Sequence, residues 1–143
     1  MILLDTGPIV ALFDPADDSH QPCAEILKSI VEPLGTTTPV LTEAFHLLSP
    51  GSVGAANLIH FIADGGLAVW FLDPNTLDRA FALMRQYADH PMDLADASLV
   101  AMAEAENLYK VFTIDRRDFA AYRVKRGHRL RPFELIEPAK TRK

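Results

Sequence analysis

A single cysteine, Cys23, among 143 residues excludes an intrachain disulfide and a cysteine-based zinc cluster. No apolar run approaches the roughly 20 residues needed to span a bilayer. No basic segment followed by a long apolar stretch precedes Asp5, so the expectation is a cytoplasmic protein without a membrane partner. Internal repeats and low-complexity tracts are also missing, and the length fits one domain over residues 1–143. No Ser-His or Cys-His arrangement stands out. His20, His46, His60, His90 and His128 are scattered and read as packed or solvent-facing residues rather than ligands.

What the chain does contain is a large apolar fraction, 49%, enough to bury a core without staples. Its net charge of −5 argues against nucleic acid until its distribution is considered. Residues 1–122 carry six basic residues against seventeen acids, a net of −11. From Arg123 onward the balance reverses to +6, with Arg123, Lys125, Arg126, Arg129, Arg131, Lys140, Arg142 and Lys143 against Glu134 and Glu137. An acidic site beside a basic segment (123–143) fits this asymmetry, and so does a solvated tail.

Periodicity orders the rest. The run Ile2-Leu3-Leu4 ends on Asp5 and turns through Gly7-Pro8, the pattern of a buried parallel strand. Helical spacing follows over residues 20–31. Residues 35–40 (GTTTPV) read as a second strand with Pro39 at its end, followed by a helix whose first turn holds Glu43. Residues 53–63 are amphipathic, and residues 67–72 (LAVWFL) read as a buried strand. Asn75 or Thr76 is expected to cap the next helix, and an Ala/Leu-rich helix spans 94–108. Residues 110–114 form a strand that delivers Asp115. A last strand over 130–136 carries Pro132, which favours an edge. Alternation of strands and helices predicts an α/β fold: a three-layer α/β/α sandwich with a central, mostly parallel sheet.

In such a sheet, strand ends and the helix starts that follow them share one edge, where ligands bind. Asp5, Glu43, Asp96 and Asp115 all fall at such places. Each has an ordinary alternative: Asp5 can cap a turn, and Glu43 can complement a helix dipole. Of Asp93 and Asp96, one should be the helix cap, and Asp93 is assigned that role. Asp118 competes with Asp115, but only Asp115 follows the strand directly. Together the four form an all-oxygen donor set, suited to Mg²⁺ or Mn²⁺.

The blocks ILLDTGPIVALF, TTPVLTEAFHLL, MDLADASLVAMAE and VFTIDRRDF resemble, in order and spacing, the four motif blocks of PIN domains. The subgroup they resemble is the VapC-like toxins and their chromosomal relatives. The resemblance covers residues 1–119 and implies an α/β/α sandwich whose acids bind Mg²⁺ or Mn²⁺ and cleave RNA to 5′-phosphate and 3′-hydroxyl ends. By motif position Asp5, Glu43, Asp96 and Asp115 match the family acids. Thr113 matches the polar residue two before the last acid, and Thr6 a hydroxyl that supports the first. Asp93 is an additional acid. The same resemblance implies a homodimer and a cognate antitoxin. Arg116, Arg117, Arg123, Lys125, Arg126, Arg129 and Arg131 are candidates to hold the RNA backbone. Tyr122 is read either as a base-stacking residue or as core.

The alternatives are a housekeeping nuclease, or an inert RNA- or protein-binding module on the same fold. A haloacid-dehalogenase-like phosphatase using Asp5 as nucleophile normally has a second Asp two residues on, where Gly7 stands. A receiver domain has only Asp73 as phosphoacceptor.

Overall fold

The computed structural model describes residues 1–138; the Lys140, Arg142 and Lys143 end of the basic segment lies outside the described residues. Five strands, β1 (Ile2–Leu4), β2 (Leu34–Thr37), β3 (Ala68–Trp70), β4 (Lys110–Phe112) and β7 (Glu134–Ile136), form one sheet in the order β3-β2-β1-β4-β7. Every pairing is parallel. Two further strands, β5 (Arg123–Arg126) and β6 (Arg129–Pro132), pair antiparallel as a separate ribbon. The chain moves outward from β1 to β3 on one side, then returns to β4 on the other. Strand order therefore reverses between β1 and β4, and a crevice opens at their carboxyl ends.

β1 is apolar because it is central: Ile2, Leu3 and Leu4 are all buried. β2 is buried too, but carries Thr36 and Thr37. Both hydroxyls are satisfied, Thr36 Oγ1 donating to the Leu4 carbonyl at 2.9 Å and Thr37 Oγ1 lying 2.6 Å from Ser98 Oγ. Ser98 donates onward to the Ala95 carbonyl, so the end of β2 is tied to the first turns of α6 (Leu94–Glu106).

The helices pack in two groups. α1 (Thr6–Phe13) packs on α2 (His20–Ser29), α3 (Thr38–Leu48) and α4 (Val53–Ala63), and α5 (Pro74–Gln86) packs on α6. α6 is buried on most of its circumference, from Ala95 through Ala103, which explains its Ala-rich composition: only small side chains allow neighbours on all sides. A short α7 (Arg116–Ala121) follows β4.

Several local expectations are corrected. Pro39 lies in the first turn of α3 rather than ending the strand, with Thr37 as the cap; a proline costs nothing there because its missing N–H has no helical partner. Glu43 is consequently in the second turn, beyond the reach of a first-turn dipole argument. Residues 67–72 do not form a buried strand: β3 is the sheet edge, pairs only with β2, and leaves Phe71 72% exposed. Asp73, not Asn75 or Thr76, caps α5 by accepting from Thr76 N at 2.8 Å. The single strand expected over 130–136 divides at Phe133 into β6 and β7. Phe133 is buried against Phe119, and that anchor turns the chain from the ribbon back to the sheet. Gly127, at φ +59°, makes the two-residue ribbon turn.

Candidate active site

The crevice at the β1/β4 reversal is an open cleft of about 650 Å³. Asp5, Glu43, Asp93, Asp96, Asp115 and Asp118 all line it. Asp5 leaves β1 directly and caps α1, accepting from Thr6 N at 2.8 Å. Its second oxygen accepts from Thr113 Oγ1 at 2.9 Å. Thr113 also accepts from Asp115 N at 3.2 Å, so one hydroxyl links the first and last acids of the chain's four motif blocks.

Asp93 is the α6 cap, accepting from Asp96 N at 2.8 Å. That fixes Asp96 in the first turn of α6, where its Oδ2 accepts from Tyr122 Oη at 3.0 Å. Glu43 enters from α3, half-buried. Asp115 is exposed and caps α7.

Burial and mutual repulsion leave their mark on these acids. Asp5 is pushed up to about 6, chiefly by burial; its two hydrogen bonds pull the other way. Asp96 is pushed up to about 8 by burial, then by the charges of Asp93 and Asp5. The Tyr122 phenol is raised far above its ordinary value by burial and by Asp96, so it remains a donor.

Among the described residues, no three His, Cys, Asp or Glu side chains are drawn together as a ready-made metal cage. The donor chemistry nevertheless suits a hard cation. All the groups are oxygens, their charges repel, and the Thr6 hydroxyl is buried at the same cleft with no hydrogen-bond partner. The expected support of Asp5 by the Thr6 hydroxyl is corrected: the backbone N–H of Thr6 makes that contact. Gly7 also lines the cleft, where an added Cβ would meet Ile114 at 3.4 Å.

The expected basic residues separate. Arg116 and Arg117 are exposed and directly follow Asp115 at the cleft; Arg116 pairs with Glu137 at 2.8 Å. Arg123 donates to the Ala120 and Tyr122 carbonyls. Arg126 is redirected: its guanidinium donates to the Ala103 and Leu108 carbonyls, capping the end of α6 opposite Asp96. A 13-residue helix is about 20 Å long, so the hairpin tip bearing Arg126 and Arg129 lies far from the acids. Lys125 is exposed on the same strand, its backbone N–H bonded to Glu104. Tyr122 is wholly buried and is not a base-stacking surface. Its bond to Asp96 has no short-range signal, since 26 residues separate the two. The pairing of His90 Nε2 with Asp118 Oδ1 at 2.9 Å is equally illegible in the sequence. His20 bonds the Ala11 carbonyl, a structural role.

The sequence matches the PIN domain family over residues 2–125. The chain belongs to the PIN domain family. A similar protein is ribonuclease VapC26 of Mycobacterium tuberculosis, 25% identical over 124 residues, covering 85% of this chain and 92% of that one. The fold is also similar to that of M. tuberculosis VapC20, a toxin that cleaves the sarcin-ricin loop: TM-score 0.77, 19% identity, 85% of this chain and 95% of that one. A toxin–antitoxin complex from Klebsiella pneumoniae gives a TM-score of 0.64 at 18% identity, over 85% and 92% of the two chains. Asp5, Glu43, Asp96 and Asp115 share one crevice of this PIN domain. Among the described residues, no helix is long and apolar enough to cross a membrane.

Proposed function

We propose that this PIN domain is an Mg²⁺- or Mn²⁺-dependent endoribonuclease and the toxin of a toxin–antitoxin pair. The observation that carries the reading is the shared cleft of Asp5, Glu43, Asp96 and Asp115, with two of the acids held by the Thr113 and Tyr122 hydroxyls. Asp5, Asp96 and Asp115 are the residues that would hold the cation, with Glu43 at the cleft wall. When bound, Mg²⁺ or Mn²⁺ supplies Lewis acidity at the scissile phosphate and acidifies water. Thr113 and Tyr122 fix the carboxylates before substrate arrives, so little reorganisation is needed during reaction. Glu43 accepts a proton from the attacking water. Water adds to phosphorus, the bond to the 3′-oxygen breaks, that oxygen takes a proton from solvent water, and a 5′-phosphate and a 3′-hydroxyl result.

Arg116 and Arg117 are the cations best placed to hold the RNA backbone; Arg123, Lys125 and Arg129 are then more remote contacts. The likeness to VapC26 and to a toxin–antitoxin complex supports an RNA substrate and a cognate antitoxin, and a cytoplasmic place of action follows from that substrate. A homodimer belongs to the same reading, and exposed Val53 and Ile59 on α4 are apolar positions it would cover.

Purified protein incubated with RNA and Mn²⁺ should cleave it, and Asp96→Asn should not. Induced expression should arrest growth for the wild type alone. RNA left intact by the wild type in Mn²⁺ would overturn the nuclease reading. Equal growth of both strains would overturn the toxin reading.

A further inference from the structure

Tyr122 sits where the chain leaves α7 for β5. It is 0% exposed, and its hydroxyl meets Asp96 Oδ2 at 3.0 Å. Three rings hold it edge-on: Tyr87 at 5.2 Å, Phe119 at 5.2 Å and His90 at 5.8 Å between centroids. Edge-to-face contacts on several sides leave a ring little freedom to rotate or withdraw. The rings are themselves anchored. His90 is bonded to Asp118, and Tyr87 Oη accepts from Arg123 N at 3.0 Å. Phe119 packs on Phe133.

We propose that Tyr122 is a positioning residue for the metal carboxylate Asp96: clamped by this aromatic cluster, it holds Oδ2 and leaves Oδ1 for the cation. The proposal rests on the metal-dependent reading above. Outer groups that orient a ligand govern metal affinity because an untethered carboxylate must be ordered when the ion binds. The arrangement also joins the C-terminal ribbon to the site, since Tyr122 immediately precedes β5. An ordinary core tyrosine would need a partner for its hydroxyl but would have no effect on metal binding.

Calorimetric Mn²⁺ titration of the wild type, Tyr122→Phe and Tyr87→Phe distinguishes the two roles. Phe keeps the ring in both variants, and Tyr87→Phe removes a hydroxyl from the same cluster without touching Asp96. Tyr122→Phe should weaken Mn²⁺ binding about tenfold and lower kcat with the KM for RNA unchanged. Tyr87→Phe should bind Mn²⁺ like the wild type even if its Tm falls. Should Tyr122→Phe not fold, 3-fluorotyrosine placed at position 122 keeps the hydroxyl, and its ¹⁹F resonance should shift on Mg²⁺ titration. Unchanged Mn²⁺ affinity in Tyr122→Phe, equal weakening in both variants, or a static resonance overturns the proposal alone. A wild type that binds no Mn²⁺ overturns the metal reading and this proposal with it.

Discussion

Thr113 donates its hydroxyl to Asp5 Oδ2 across 2.9 Å, joining residues 108 apart in the chain. The same hydroxyl oxygen accepts from Asp115 N. One threonine therefore sets the relation between the acid that ends β1 and the acid that follows β4. Valine has nearly the same shape but neither donates nor accepts. Thr113→Val should lower RNA cleavage about 10- to 100-fold and cost about 1–3 kcal/mol of stability, because buried polar groups lose their partner. Cleavage kinetics and denaturant unfolding measure the two effects.

Asp5→Asn separates metal binding from folding. Asp5 is strained as an anion, pushed up to about 6 by burial, so the amide should not destabilise the metal-free fold. In the wild type, Mn²⁺ at about 100 times its Kd should add about 2.7 kcal/mol. Most of that gain should vanish in Asp5→Asn, as read from thermal melts with and without Mn²⁺.

The raised acids also dictate a pH dependence. Asp96, at about 8 in the folded protein, has an ordinary carboxylate value near about 3.9 when unfolded. Below about pH 4 both states are protonated and its stabilising contribution is fully present. As pH rises, the unfolded chain releases the proton first, so stability falls until the folded group has also ionised, near about pH 8. Metal-free wild type should therefore lose stability relative to Asp96→Asn between about pH 5 and pH 8. Equal slopes in chemical denaturation would count against this burial of Asp96.

Arg126 and Arg117 should behave oppositely. Arg126 caps α6 through the Ala103 and Leu108 carbonyls, so Arg126→Ala should cost about 1–3 kcal/mol of stability and leave the salt dependence of RNA binding intact. Arg117→Ala should leave stability within about 0.5 kcal/mol and flatten the salt slope by about 0.7 for a single strand. Binding to a non-cleavable RNA at several ionic strengths checks both.

Short, largely apolar runs followed closely by acids locate β1 and β4 in the sequence, because central parallel strands are covered on both faces. Asp93 is readable as a cap and Asp96 as its inward partner, since the short reach of a cap side chain operates within one turn. Asp5 and Asp115 follow from the same local logic, whereas Glu43 does not, because α3 begins before Pro39 and puts it in the second turn. The β3 edge does not: LAVWFL is as apolar as a central strand, and only the sheet order exposes Phe71. Charge misleads in the opposite way. Arg126 has the pattern of a phosphate ligand, but in the fold the Ala103 carbonyl of the last turn of α6 and the Leu108 carbonyl just beyond it claim its guanidinium. Local patterning marked Asp5, Asp93, Asp96 and Asp115 for the crevice, and the fold adds Asp17 and Asp118 to its lining. Tertiary structure alone decided which hydroxyls hold them, because the bonds from Thr113 to Asp5 and from Tyr122 to Asp96 depend on packing between segments that no short-range rule connects.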